Sequence, residues 1–187
     1  MKTTLKLLFI LFFFVYNGNI FAQGPPKLQR QHTARGTNNE YSVRKYDDFY
    51  SISNANSMYR NLNPNYNLKI DEYAPIAFLS KEDRQRLEQA TDSIIGDYVA
   101  KNTKTWKTLS DYTAIFMKSD MKGVIKDVVF IFPNGLSIPV EKIEALETLI
   151  KKELRLQFKI DHRNKDAVYM EQSWTVKFEP MREKRKK

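Results

Sequence analysis

The sequence predicts an α+β fold. From residue 80 onward, helix, strand, strand, helix and strand follow one another, giving a three-stranded antiparallel sheet packed by two helices. Three observations predict it. Residues 80–102 and 139–154 carry apolar side chains at helical spacing, residues 112–132 read as two apolar runs around "SDMKG", and residues 168–178 alternate apolar with polar.

The first helix opens on Ser80, an N-cap residue, with Glu82 and Asp83 in the first turn where the helix dipole favours acids. Leu87, Ala90, Ile94 and Tyr98 then recur on one face, and Arg84, Glu88 and Asp92 mark the polar one. Residues 112–118 form the first strand. "SDMKG" supplies the turn, with Gly123 free to take a positive φ. In the second strand, 124–132, Val124, Val128, Phe130 and Phe132 lie on one face and Ile125, Val129 and Ile131 on the other. A strand apolar on both sides is a central or doubly covered one. "PNG" ends it. Pro139 fits the first turn of the second helix, whose apolar stripe is Ile143, Leu146, Leu149, Ile150 and Leu154. Its wet face carries Glu144, Glu147 and Lys151. In the final strand Val168, Met170, Trp174, Val176 and Phe178 form the apolar face, and Pro180 stops it.

Upstream of these elements the chain has a different character. "MKTTLKLLFILFFFVYNGNIFAQG" has two lysines, an apolar run over 7–16, a polar break and Ile20-Phe21-Ala22. This is the three-part plan of a secretory signal peptide, with cleavage expected after Ala22. The run spans about half of a ~30 Å hydrocarbon core, too little for an anchor. No membrane span is expected after cleavage. Residues 23–75 hold eight Asn between 38 and 67 and six Tyr between 41 and 73, with no sustained period. They read as an Asn/Tyr-rich arm, disordered through about 39, its tyrosines covering a small core with their hydroxyls in water. The domain plan is thus signal 1–22, arm 23–75, α+β domain 76–180 and basic tail 181–187.

The 187 residues, 42% hydrophobic and 13% aromatic, suit one domain with extra material. The formal charge is +9, but the tail "MREKRKK" alone has five basic residues and one acidic. Basic character is largely a tail property, so no nucleic-acid-binding face is expected. With no Cys there is neither disulfide nor thiol nucleophile. His32 lies in the arm and His162 beside Asp161 in "DHRNKD", and no second His completes a metal site. No phosphate loop, dinucleotide fingerprint, Gly-x-Ser-x-Gly or His-Glu-x-x-His occurs. Glu144 and Glu147 sit one helical turn apart, but solvent on a wet face keeps carboxylates ordinary. The expectation is a protein without catalytic, metal or cofactor site, a secreted enzyme being the alternative.

"AIFMKSDMKGVIKDVVFIF", "IEALETLIKKEL", "RLQF" and "WTVKF", in this order, resemble the TonB C-terminal domain. Gly123-Val124 matches that family's turn and strand start. Residues 155–158 stand where the family has an aromatic-aromatic-Pro segment, here without Pro. The resemblance covers about half of the chain, and the segment that carries it lacks the long Pro-rich linker of energy-transmitting members. It therefore implies a soluble secreted relative, similar to uncharacterised secreted proteins of the Bacteroidetes. It further implies β-augmentation: an envelope protein or peptide adding a strand to the sheet edge. Strand 168–178 is the candidate edge, with Tyr169, Glu171, Ser173, Thr175 and Lys177 as binding candidates. Trp106, between helix and strand, is the more exposed candidate tryptophan. A second reading gives the tail residues Arg182, Lys184, Arg185, Lys186 and Lys187 an anionic lipid or lipopolysaccharide surface to hold. Either way the protein is expected in the periplasm or at the outer membrane.

Overall fold

The computed structural model describes residues 28–57, 77–101, 112–158 and 170–185. In chain order the elements are β1 (Arg30–Arg35), β2 (Glu40–Lys45), β3 (Phe49–Asn54), β4 (Phe78–Leu79), α1 (Lys81–Lys101), β5 (Tyr112–Ser119), β6 (Ile125–Pro133), α2 (Val140–Glu153), β7 (Leu156–Gln157), β8 (Met170–Lys177) and α3 (Glu179–Lys184). The class is α+β. Six strands form one antiparallel sheet in the order β1-β2-β3-β6-β5-β8, and β4 pairs with β7 in a small second sheet.

The hairpin is built as its residues require. Asp120 accepts the backbone N–H groups of Lys122 and Val124, and Gly123 turns the chain with φ 79°. β6 is a central strand between β3 and β5; its face with Val128, Phe130 and Phe132 is buried, and Val129 and Ile131 on the other face are half-buried. Val128, Phe130 and Phe132 are fully buried with Ile115 and Met117 of β5 and Ile52 of β3. Helices α1 and α2 close that side with Leu87, Ile95, Val99, Ile143, Leu146 and Ile150. Ser80 caps α1 as its residue type predicts, its Oγ accepting the N–H of Asp83 at 3.0 Å.

Three expectations need correction. The sheet has six strands where three were expected. The added ones, β1 to β3, come from the segment read as a separate arm, disordered through 39, and they join the sheet across the boundary expected at 75–76. Each brings few inward apolar residues: Tyr41 and Val43 from β2, Tyr50 and Ile52 from β3. What orders them is backbone pairing, in which Ile52 stands opposite Phe130 and Val43 opposite Ile52. The tyrosine hydroxyls are also not in water. Tyr41 is fully buried, and Tyr50 donates to the Leu136 carbonyl at 2.9 Å. Burial is the largest cause that pushes both phenols well above their ordinary range, and at Tyr41 the Glu147 carboxylate adds to it. Finally, Pro180 does end the strand, but it also begins a third helix, as proline in a first turn can.

Candidate functional site

β8 is the last strand of the sheet on its side, and among the described residues nothing pairs with its outer edge. Its register on β5 runs from Tyr112–Lys177 to Ser119–Met170 without interruption. Side chains alternate accordingly. Glu171, Ser173, Thr175 and Lys177 are exposed, whereas Val176 is buried and Trp174 half-buried against the core. The structure thus places four of the sequence-derived binding candidates along one free edge. Trp106 and Tyr169 fall outside the described residues, as do His162, Lys186 and Lys187.

Beside this edge lies a groove of about 620 Å³ between α1, β8 and α3. Gln85 and Gln89 line one wall, Pro180 and Met181 the other, and Trp174 and Val176 the strand side. Arg84 stacks its guanidinium 4.8 Å from the Trp174 ring centre and donates to the Leu79 carbonyl. The indole N–H of Trp174 is buried with no acceptor among the described residues. The edge therefore offers backbone groups together with an adjacent apolar depression, the two features an added strand uses.

Two of the described tail cations are engaged by the fold. Lys184 pairs with Asp92 at 2.8 Å, and Arg185 bridges Asp92 at 2.5 Å and Asp97 at 2.6 Å. Burial would raise the Asp92 carboxyl, but hydrogen bonds from Lys184 and Arg185 outweigh it and hold it below its ordinary range. Arg185 lies against Gly96, where a methyl group would meet its guanidinium at 2.5 Å. Of the five tail candidates, Lys184 and Arg185 are thus docking residues for α3, and the side chain of Arg182 is half-buried.

Glu144 and Glu147 are not on a wet face. They are 4% and 3% exposed because the β1–β2 hairpin lies against α2. Glu144 accepts the backbone N–H of Thr37 at 2.5 Å, that of Asn38 at 2.9 Å and the side-chain amide of Asn39 at 2.8 Å. Burial raises its carboxyl, yet these donors outweigh burial and the net shift is downward. Glu147 accepts the Tyr41 hydroxyl at 2.5 Å and pairs with Lys151. The filled acceptor sites explain how two carboxylates tolerate burial. They act as clamps on the hairpin. Asp127, fully buried on β6 opposite Lys118 of β5, has no hydrogen-bond donor among the described residues. His32 stands exposed on β1. Among the described residues no group of three or more His, Cys, Asp or Glu is placed to hold a metal ion. No helix among them is long and apolar enough to cross a membrane.

Fold and edge together define an α+β protein with a six-stranded antiparallel sheet covered by helices on one face. Among solved structures, the chain is similar to a DUF5043 family protein from Bacteroides uniformis ATCC 8492, with a TM-score of 0.60 and 14% identity, covering 83% of this chain and 95% of that one. At that identity the likeness is one of fold alone. No family model matches the chain, and no curated protein matches it. The expected likeness to the TonB C-terminal domain is not shown by these comparisons, and the three strands added beyond β6 depart from the expected topology.

Proposed function

We propose that the protein is an exported, non-catalytic binding module of the cell envelope that takes an extended segment of a protein partner along the outer edge of β8. The signal-like first residues supply the compartment, periplasmic or outer-membrane-associated. The observation that carries the reading is the free edge of β8 beside the groove under Trp174. Strand addition satisfies backbone groups that an edge leaves to water, and a neighbouring depression gives the incoming side chains selectivity. The electrostatic reading of the tail has less in its favour, since Lys184 and Arg185 already have acidic partners.

The test is site-specific photocrosslinking in native envelope, with the crosslinker placed in turn at Glu171, Ser173 and Thr175. One partner segment joined at all three sites, its attachment points advancing in register along an extended stretch, supports the reading. Adducts in no consistent register, or none, reject it.

A further inference from the structure

The other end of the sheet is chemically unlike the β8 edge. β1, "RQHTAR", carries Arg30, His32 and Arg35, and its neighbour β2, "EYSVRK", adds Arg44 and Lys45. Register sets Arg30 opposite Lys45 and Gln31 opposite Arg44. Arg30, His32 and Lys45 therefore share one face of the sheet, while Arg35 and Arg44 share the other. Glu40, opposite Arg35, is the single acidic residue of the two strands. Among the described residues, none of Arg30, Arg35, Arg44 and Lys45 has a partner within ion-pair distance. Every residue of β1 except Ala34 is exposed.

The edge is also held in place. Gly36 N–H donates to the Asn39 carbonyl and closes the hairpin, and Glu144 of α2 grips the turn through Thr37, Asn38 and Asn39. Alternation of antiparallel bonding from that closing pair turns the N–H and C=O groups of Gln31, Thr33 and Arg35 outward. A strand presented this way has paid its ordering cost before a partner arrives. Pairing with a second copy is disfavoured, because β1–β1 contact would bring the cations of two such strands, Arg30 and Arg35 of each, side by side along one short ladder with no acidic residue of β1 between them. Cations on both faces instead match acids at successive positions of an incoming strand, whichever face each points to.

From this we infer that β1 is a second docking edge, taking an extended acidic peptide segment by strand addition. The inference is independent of the β8 reading, since it uses a different edge and different chemistry.

The probe is a short fluorescent peptide of alternating Glu and Val, titrated into the full chain and followed by anisotropy. Binding should weaken with added salt and fall about tenfold or more in the double variant Arg30→Glu, Arg35→Glu. The same peptide N-methylated at alternate amides should not bind, because strand addition needs its N–H groups. The charge reversal Lys122→Glu, at an exposed site in the turn between β5 and β6, should leave binding unchanged. Circular dichroism of the double variant should match the parent, since both substituted side chains are exposed. The inference is overturned if the N-methylated peptide binds as well as the parent. It is equally overturned if the charge reversal has no effect, if neither peptide binds, or if a single-stranded oligonucleotide or anionic phospholipid vesicles compete the peptide away.

Discussion

The hydroxyl of Tyr41 on β2 donates to the carboxylate of Glu147 on α2 at 2.5 Å, joining residues 106 apart in the chain. The bond is buried and attaches the N-terminal hairpin to the helical layer. In Tyr41→Phe the Glu147 carboxylate keeps Lys151 but loses a donor inside the protein. A destabilisation of about 1–3 kcal/mol is expected from urea unfolding. A change within a few tenths would show that the hairpin is held by β-pairing alone.

Glu144 predicts a pH dependence. Its carboxyl lies below its ordinary value of 4.5 in the folded chain, because Asn38, Thr37 and Asn39 donate to the charged form more strongly than burial opposes it. The unfolded chain then binds a proton first as pH falls. The stability this group contributes is present above about pH 4.5 and is lost as pH drops through the depressed value. Asp92 and Asp120 are shifted the same way and add to the slope. Glu144→Gln should be less stable than the parent at neutral pH and lose less on acidification. Parallel stability-versus-pH curves for the two proteins would contradict this.

Gly96 and Arg185 make a second clamp. Gly96→Ala places a methyl group where the guanidinium lies, so Arg185 must leave Asp92 and Asp97 or α1 must shift. The measured quantity is protease sensitivity of the C-terminal end, which should rise in Gly96→Ala and in Arg185→Ala alike. Each should cost about 1–2 kcal/mol. The two together should cost less than the sum, because they disrupt one contact.

Gly123→Ala should be the most damaging of the glycine changes. Its φ of 79° is strained for alanine, and a methyl group there would collide with the Leu156 carbonyl oxygen. Backbone at that point cannot move cheaply, because Leu156 N–H also donates to the Gly123 carbonyl at 2.9 Å. A loss of about 2 kcal/mol or more is expected in thermal unfolding. A melting temperature equal to the parent's would show that the turn relaxes freely.

What could be read from the sequence was what depends on neighbours in the chain. Leu87, Ala90 and Ile94, or Ile143, Leu146 and Ile150, reveal a helix through spacing alone. Phe130 and Phe132 beside Val129 and Ile131 reveal a strand flanked on both sides. A half-buried strand over residues 170–177 was legible because Trp174 and Val176 alternate with Ser173, Thr175 and Lys177, but alternation marks a face, and the edge position was expected only from the resemblance to the TonB C-terminal domain. In β2 and β3 the same signal consists of two inward residues each, too short to stand out among Asn, Ser and Tyr. Their place in the sheet was decided by hydrogen bonds to a strand some eighty residues away, and backbone groups carry no mark in the sequence. The same distance hid the roles of Glu144 and Glu147. A helical wheel shows which face is polar, but only packing decides whether water or Asn38, Thr37 and Tyr41 will satisfy it. So too at the C-terminal end: the sequence determined that Lys184 and Arg185 are cations, and the tertiary structure decided that Asp92 and Asp97 neutralise them, since an ion pair needs its partner within a few ångströms in space, wherever it lies along the chain.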